Sequence, residues 1–287
     1  MKIAVISGKG GSGKSSVTAA FIALTQQVIA IDCDVDASNL PLLFAHQNVH
    51  QEPFVSGQDL HIDADACVGC GVCADKCAFH ALRISDEGKA VANNLLCEGC
   101  GLCSSLCPQG AITQTDVADS SIFTSTFERG ILLYGALCPG DDNSGKMIAR
   151  IRTIADEQMA KEQIDIQILD GPPGIGCPVL STVTGMDKVV IVSEPTLSGI
   201  SDLQRAYRVA SSFCQHIYVI INKCDINADN RNAIADFCNE QQIPVLAELP
   251  FDRRLVEAQL HCESIVTYAP ESPAAQELTR AYKQLLA

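Results

Sequence analysis

Apolar residues along this chain fall in short runs separated by polar, glycine-bearing turns, and two periods alternate. Residues 3–7, 28–31, 188–192 and 217–221 are near-continuous stretches rich in Val and Ile, and 164–169 is a further run of strand length. Runs without polar alternation suit strands buried on both faces of a parallel sheet. Between and after them the spacing turns helical. Val17, Phe21 and Leu24 mark one such stretch, and others cover about 144–160, 200–214, 228–240 and 273–286. Strands alternating with helices predict an α/β fold with a mostly parallel sheet covered on both faces. Residues 131–137 form another strand-like run. The pattern breaks between 60 and 115, where cysteine and glycine replace the apolar periodicity. The expected organisation is therefore a discontinuous domain, 1–59 with 116–287, carrying a small α+β domain inserted at 60–115.

Composition narrows the classes. With 47% hydrophobic residues, the 287-residue chain can bury a substantial core. Its 34 acidic against 20 basic side chains leave a formal charge of −14, which argues against a nucleic-acid partner. The N-terminus runs directly into a glycine-rich loop and does not read as a signal peptide. No apolar run nears the ~20 residues that cross a bilayer. The expectation is a cytoplasmic protein, and there 15 cysteines point to bound metal rather than disulfides.

Eight of the cysteines form two matching groups: Cys67, Cys70, Cys73, Cys77 and Cys97, Cys100, Cys103, Cys107, the last followed by Pro108. Both read C-x2-C-x2-C-x3-C and start 30 residues apart. Zinc ribbons, the competing reading, use pairs of cysteines; three at two-residue gaps plus a fourth suit a 4Fe-4S cubane. The repeat extends to Gly69/Gly99, Gly71/Gly101, and Ala81-Leu82-Arg83-Ile84 against Ala111-Ile112-Thr113. The segment resembles bacterial two-cluster ferredoxins. That resemblance implies crossed ligation, with Cys67, Cys70, Cys73 and Cys107 on one cluster and Cys97, Cys100, Cys103 and Cys77 on the other. Ala78 stands where the family usually has proline after the first group.

Directly after residues 3–7 comes Gly8-Lys9-Gly10-Gly11-Ser12-Gly13-Lys14-Ser15-Ser16, fitting G-x4-G-K-S/T between a strand and a helix. Its backbone N–H groups can curl around phosphates, Lys14 can reach the β- and γ-phosphates, and the Ser15 hydroxyl can ligate Mg2+. With Lys9, the loop resembles the deviant P-loop of the MinD/ParA/Mrp ATPases and, more distantly, the nitrogenase iron protein. In those families the early lysine reaches the nucleotide of a dimer partner. The resemblance makes Asp32-Cys33-Asp34 the start of switch I, with Asp34 orienting the attacking water and Asp32 beside Mg2+. The pair could instead cap the following helix. Asp170-Gly171-Pro172-Pro173-Gly174 resembles the Walker B aspartate, a Mg2+ and catalytic residue, running into switch II. Asn222 resembles the adenine-contacting asparagine, and the turn Leu249-Pro250-Phe251, with Pro250 at its centre, is expected to wall the other side of the base.

The combined pattern resembles MinD-type ATPases with an inserted ferredoxin domain, a group to which Asp170 through Pro178 and Asn143-Ser144-Gly145-Lys146 also point. It implies an ATP-binding and ATP-hydrolysing protein, either a homodimer or a heterodimer with a paralogous ATPase. A nucleotide-driven dimer switch would couple to electron transfer through two 4Fe-4S clusters. The alternative is an ATPase scaffold that assembles or transfers iron–sulfur clusters or metal cofactors. A positioning ATPase is a third option, but the tail at 272–286 carries only two basic residues and reads as a helix on its own core, without stable membrane association. Five cysteines, Cys33, Cys214, Cys224, Cys238 and Cys262, are assigned to packing. Cys138 and Cys177 fall where the nitrogenase iron protein bridges a cluster across its two-fold axis. They are either a third, intersubunit 4Fe-4S site or a thiol pair that is inert or binds metal transiently. Each oxidised cluster with its thiolates carries about −2, so the acidic holoprotein calls for a basic face on its redox or iron–sulfur acceptor.

Overall fold

The computed structural model describes residues 1–140 and 143–287. The chain divides into two compact units: Met1–Glu52 with Ile122–Ala136 and Ser144–Ala287, and Pro53–Ser121 with Leu137–Asn143. The second unit thus begins before and ends after the 60–115 read from the sequence.

The first unit is built on a nine-stranded sheet in the order Val245–Leu249, Ile217–Asn222, Lys188–Ser193, Lys2–Ser7, Gln167–Pro173, Val28–Asp32, Gly130–Ala136, Ser120–Phe127, His46–Phe54. Every pairing from the first of these to Gly130–Ala136 is parallel. The expected α/β architecture is present, and the reason is visible in burial. Val28–Asp32 is buried at every position and Lys2–Ser7 at all but Lys2, because helices cover both faces. The helices Ser144–Glu162, Leu197–Ser211, Ala228–Glu240 and Pro273–Leu286 lie within a few residues of their expected spans. The last buries Ala274, Ala275, Leu278, Ala281, Tyr282 and Leu285. Tyr282 packs on Phe21 at 5.3 Å, and its hydroxyl is 2.6 Å from Thr25 Oγ1, so the tail is a docked helix. No helix among the described residues is long and apolar enough to cross a membrane.

Register sets the chemistry. Val5 pairs with Asp170, and Asp170 with Asp32, so the carboxyl ends of three adjacent strands deliver the glycine-rich loop and two aspartates to one edge. Ligands bind at that edge in open parallel sheets.

The second unit pairs Gly57–Ile62 antiparallel with Ile112–Val117, and Leu82–Ile84 antiparallel with Ala90–Ala92. Two five-residue helices, Val72–Lys76 and Leu102–Leu106, each follow a left-handed glycine: Gly71 at φ 79° and Gly101 at φ 73°. Its core gathers Leu60, Leu82, Ala111 and Ile112 with Cys67 and Cys73. With so little aliphatic mass, the cysteine segments themselves form much of the interior.

Candidate nucleotide and cysteine sites

The loop between Ser7 and Lys14 turns through left-handed backbone at Gly11 (φ 78°) and Gly13 (φ 91°). A Cβ on Gly13 would stand 2.1 Å from Asn222 Nδ2, so the loop needs glycine there for space as well as conformation. The helix Lys14–Leu24 begins with no side-chain cap, leaving its first N–H groups to an anion. Lys14 is buried, with Nζ 3.0 Å from Asp170 Oδ1. Ser15 Oγ donates to Asp170 Oδ2 at 2.6 Å, and Thr18 Oγ1 lies 2.7 Å from Asp170 Oδ1. A hydroxyl and a carboxylate this close form the hard-oxygen pair that Mg2+ takes, directly or through water.

Asp32 is fully buried and accepts from the backbone N–H groups of Asp34, Asn39 and Leu40, each at 2.9 Å. Burial first, then the neighbouring Asp170 charge, pushes its carboxyl up to about 7. Both Asp32 oxygens are spent on the loop that carries Asp34, so its observed work is to hold that loop. Asp34 is half-buried on the cavity wall, and burial raises its carboxyl while Lys14 opposes the rise.

The cavity has a volume of about 610 Å3, within the range of small-molecule sites. Gly10, Gly11, Ser12, Gly13, Lys14, Ser15, Ser16 and Asn222 all line it. Asn222 Nδ2 donates to Ser12 O at 2.8 Å. Pro250 is not on this wall. The strand Val245–Leu249 ends just before it, and the next residue, Phe251, is 60% exposed and lines the cavity with Leu255 and Val256. Lys9 points back into its own chain: Nζ is 2.6 Å from Glu194 Oε1 and donates to Thr196 and Ser198. Glu194 also holds Lys223 at 2.9 Å, and these bonds outweigh burial to lower its carboxyl below the ordinary value. Thr18, Glu194 and Lys223 were not singled out from sequence, whereas Phe251 belongs to the turn expected to wall the base. Thr18 lies one helical turn after Lys14, which was the available signal.

In the second unit the eight cysteines sort onto two cavities. Cys67, Cys70, Cys73 and Cys107 line one. Cys77, Cys97, Cys100 and Cys103 line the other, which Cys73 also touches. Each cavity thus takes three cysteines of one run and the last of the other. Backbone N–H groups donate to sulfur at Ala81→Cys77 (3.3 Å), Ala111→Cys107 (3.3 Å), Gly99→Cys97 (3.4 Å) and Ala90→Cys67 (3.4 Å). Soft thiolates with N–H donors aimed at them suit an iron–sulfur cluster. Among the described residues, no group of three or more His, Cys, Asp or Glu converges as a single-ion site would require.

Of the remaining cysteines, Cys33, Cys214 and Cys238 are buried as expected. Cys262 departs from the packing assignment: it is exposed, in a left-handed turn at φ 55°. Cys224 is only half-buried. Cys138 is half-buried in the second unit, and Cys177, exposed, opens the helix Cys177–Val183 of the first.

Residues 3–265 match the CobQ/CobB/MinD/ParA nucleotide binding domain. An uncharacterised protein of Methanocaldococcus jannaschii is 36% identical over 233 residues, 80% of each chain. A second uncharacterised protein of that organism is 26% identical over 297 residues, 93% of this chain and 92% of its own. The septum site-determining protein MinD of Pyrococcus horikoshii, solved with Mg-ADP, superposes with a TM-score of 0.60 at 20% identity, over 99% of this chain and 95% of that one.

Proposed function

The chain belongs to the CobQ/CobB/MinD/ParA nucleotide-binding family as a MinD/ParA-type P-loop ATPase, and from that premise we propose that ATP binding and hydrolysis gate electron transfer through two 4Fe-4S clusters. The observation that carries this reading is the sorting of eight cysteines onto two cavities in crossed sets. Bound there, the clusters would each accept and release one electron. Cys67, Cys70, Cys73 and Cys107 would hold one; Cys77, Cys97, Cys100 and Cys103 would hold the other, within an inserted ferredoxin domain. Four cysteines at each site suit permanent redox centres better than cargo.

On the nucleotide side, the loop N–H groups and Lys14 hold the phosphates, and Ser15 with Asp170 supplies oxygen ligands for Mg2+. Asp34 orients the attacking water, and Asp32 fixes the position of Asp34. Lys9 serves a partner subunit's nucleotide, which requires it to leave Glu194. Closure would then be a two-state event biased by ATP, with the Asp170–Gly174 segment sensing the γ-phosphate. Gly171 supports this role: a Cβ there would stand 2.8 Å from Ile6, so the segment lies directly on the first strand. The partner is a second copy or a paralogous ATPase. Two related proteins in one archaeon support paralogous pairing.

A second reading is an ATPase scaffold that delivers clusters, and the exposed Cys177 favours it. A third cluster shared through Cys138 and Cys177 belongs to the same proposal. Iron near eight per chain, unchanged in a Cys138/Cys177 double alanine variant, sinks it. The main test is anaerobic purification with iron and sulfide quantitation, then EPR of the reduced protein with and without Mg-ATP. About eight irons per chain and a nucleotide-dependent spectrum are expected; stoichiometric zinc without iron refutes the reading.

A further inference from the structure

The two halves of the second unit are related by an offset of 30 residues, and one pair of sulfur-directed contacts keeps that symmetry. Ala81 N–H donates to Cys77 and Ala111 N–H donates to Cys107, both at 3.3 Å. Symmetry fails at several wall positions: Val68 is matched by Glu98, Pro108 by Ala78 and Gln109 by Phe79, and a fourth difference places an enclosed side-chain donor on one wall. Ile84 lines the cavity of Cys67, Cys70, Cys73 and Cys107. Its equivalent, Gln114, lines the cavity of Cys77, Cys97, Cys100 and Cys103.

The Gln114 side chain is held from behind. Ser104 Oγ lies 3.4 Å from Gln114 Oε1, and a Cβ on Gly101 would meet that same oxygen at 3.1 Å. Its other end, Nε2, is enclosed and has no hydrogen-bond partner. An orphaned buried amide donor forfeits its hydration with no return, so such groups are rare unless something on the cavity side accepts the hydrogen. Cys73, Cys77, Cys97, Cys100 and Cys103 share this wall with one carboxylate, Glu98, which is exposed to solvent, so sulfur is the acceptor class that the enclosed amide can meet inside the cavity.

Resting on the two-cluster reading above, we infer that Gln114 donates a hydrogen bond to sulfur of the cluster held by Cys77, Cys97, Cys100 and Cys103 and raises its reduction potential. Reduction adds one electron and one negative charge to the cluster; a donor aimed at sulfur stabilises that charge. Ile84 offers nothing equivalent to the other cluster, and the one amide side chain on that wall, Gln109, is exposed to solvent. There, Lys89 Nζ donates to Cys67 O at 2.5 Å, so that site has an electrostatic neighbour of its own kind. The two centres are therefore set by different groups and titrate separately. Gln114 acts as a tuning residue beside the reacting centre.

The test is a dithionite redox titration followed by EPR, on full-length wild type, Gln114→Leu and the mirror variant Ile84→Gln, each with iron and sulfide counted. Gln114→Leu should make one cluster at least tenfold harder to reduce, ~59 mV for a one-electron couple, and leave the other unmoved. Ile84→Gln should move the other cluster the opposite way. Midpoints unchanged in both variants, with about eight irons retained, overturn the inference and leave the two-cluster reading standing. Wild type without cluster iron overturns both. Should Gln114→Leu assemble only one cluster, Ile84→Gln decides alone: a raised midpoint supports the inference, an unchanged one overturns it.

Discussion

Cys107→Ser tests crossed ligation directly, because residue 107 lies in the second cysteine run yet lines the cavity of the first. Losing one of four thiolates from a site should cost that whole cluster, about four of about eight irons per chain. The decisive comparison uses pairs. Cys107→Ser with Cys67→Ser strikes one cavity twice, so iron should stay at about four. Cys107→Ser with Cys97→Ser strikes both, and iron should fall to near zero. Such non-additivity within a site and additivity between sites is the signature of shared partners. Anaerobic iron and sulfide analysis with absorbance near the blue end of the visible reads the result. The reverse pattern, iron near zero for 107 with 67 and retained for 107 with 97, would refute the geometry and favour uncrossed sites.

Gly13→Ala should abolish ATP binding by calorimetry, since its Cβ would collide with Asn222 at 2.1 Å in a backbone of φ 91°; unchanged affinity would contradict the loop geometry. Thr18→Val removes a buried hydroxyl between Asp170 and the Lys14 carbonyl, and about 1.5–3 kcal/mol of stability should be lost in denaturant titrations. Burial raises the Asp34 carboxyl above its ordinary 3.8, so it picks up its proton early as pH falls. ATP hydrolysis should decline on the acid side at a pH above that value, and Asp34→Asn should be slow and flat. For Asp32, raised to about 7, the stabilising contribution is complete below about 3.8 and lost as pH rises through about 7. Nucleotide-free wild type should therefore lose stability over that window relative to Asp32→Asn.

Much of this was legible because function sits where local sequence is most constrained. The P-loop follows a continuous apolar strand, and the aspartates end two more, so period and motif agree. The edge strand His46–Phe54 was invisible: its first eight residues are exposed or half-buried and carry no apolar alternation. Glu194 could not be found, because its importance arises from Lys9 and Lys223 arriving from distant segments. The turn Leu249-Pro250-Phe251 was legible as a unit, and within it Phe251 rather than Pro250 lines the cavity. Gln114 was hidden for a different reason. The internal repeat was read for its ligands, and Gln114 is one of the wall positions where the repeat fails.

If ATP gates the clusters as proposed, nucleotide state controls electron exit. Dithionite-reduced, desalted protein would be mixed anaerobically with an acceptor and either Mg-ATP or Mg-ADP, following cluster absorbance and protein-bound iron together. Reoxidation should be faster with Mg-ATP than with Mg-ADP at constant iron, and the difference should be lost in Lys14→Ala. Equal rates with both nucleotides, or iron leaving the protein on ATP addition, would contradict it.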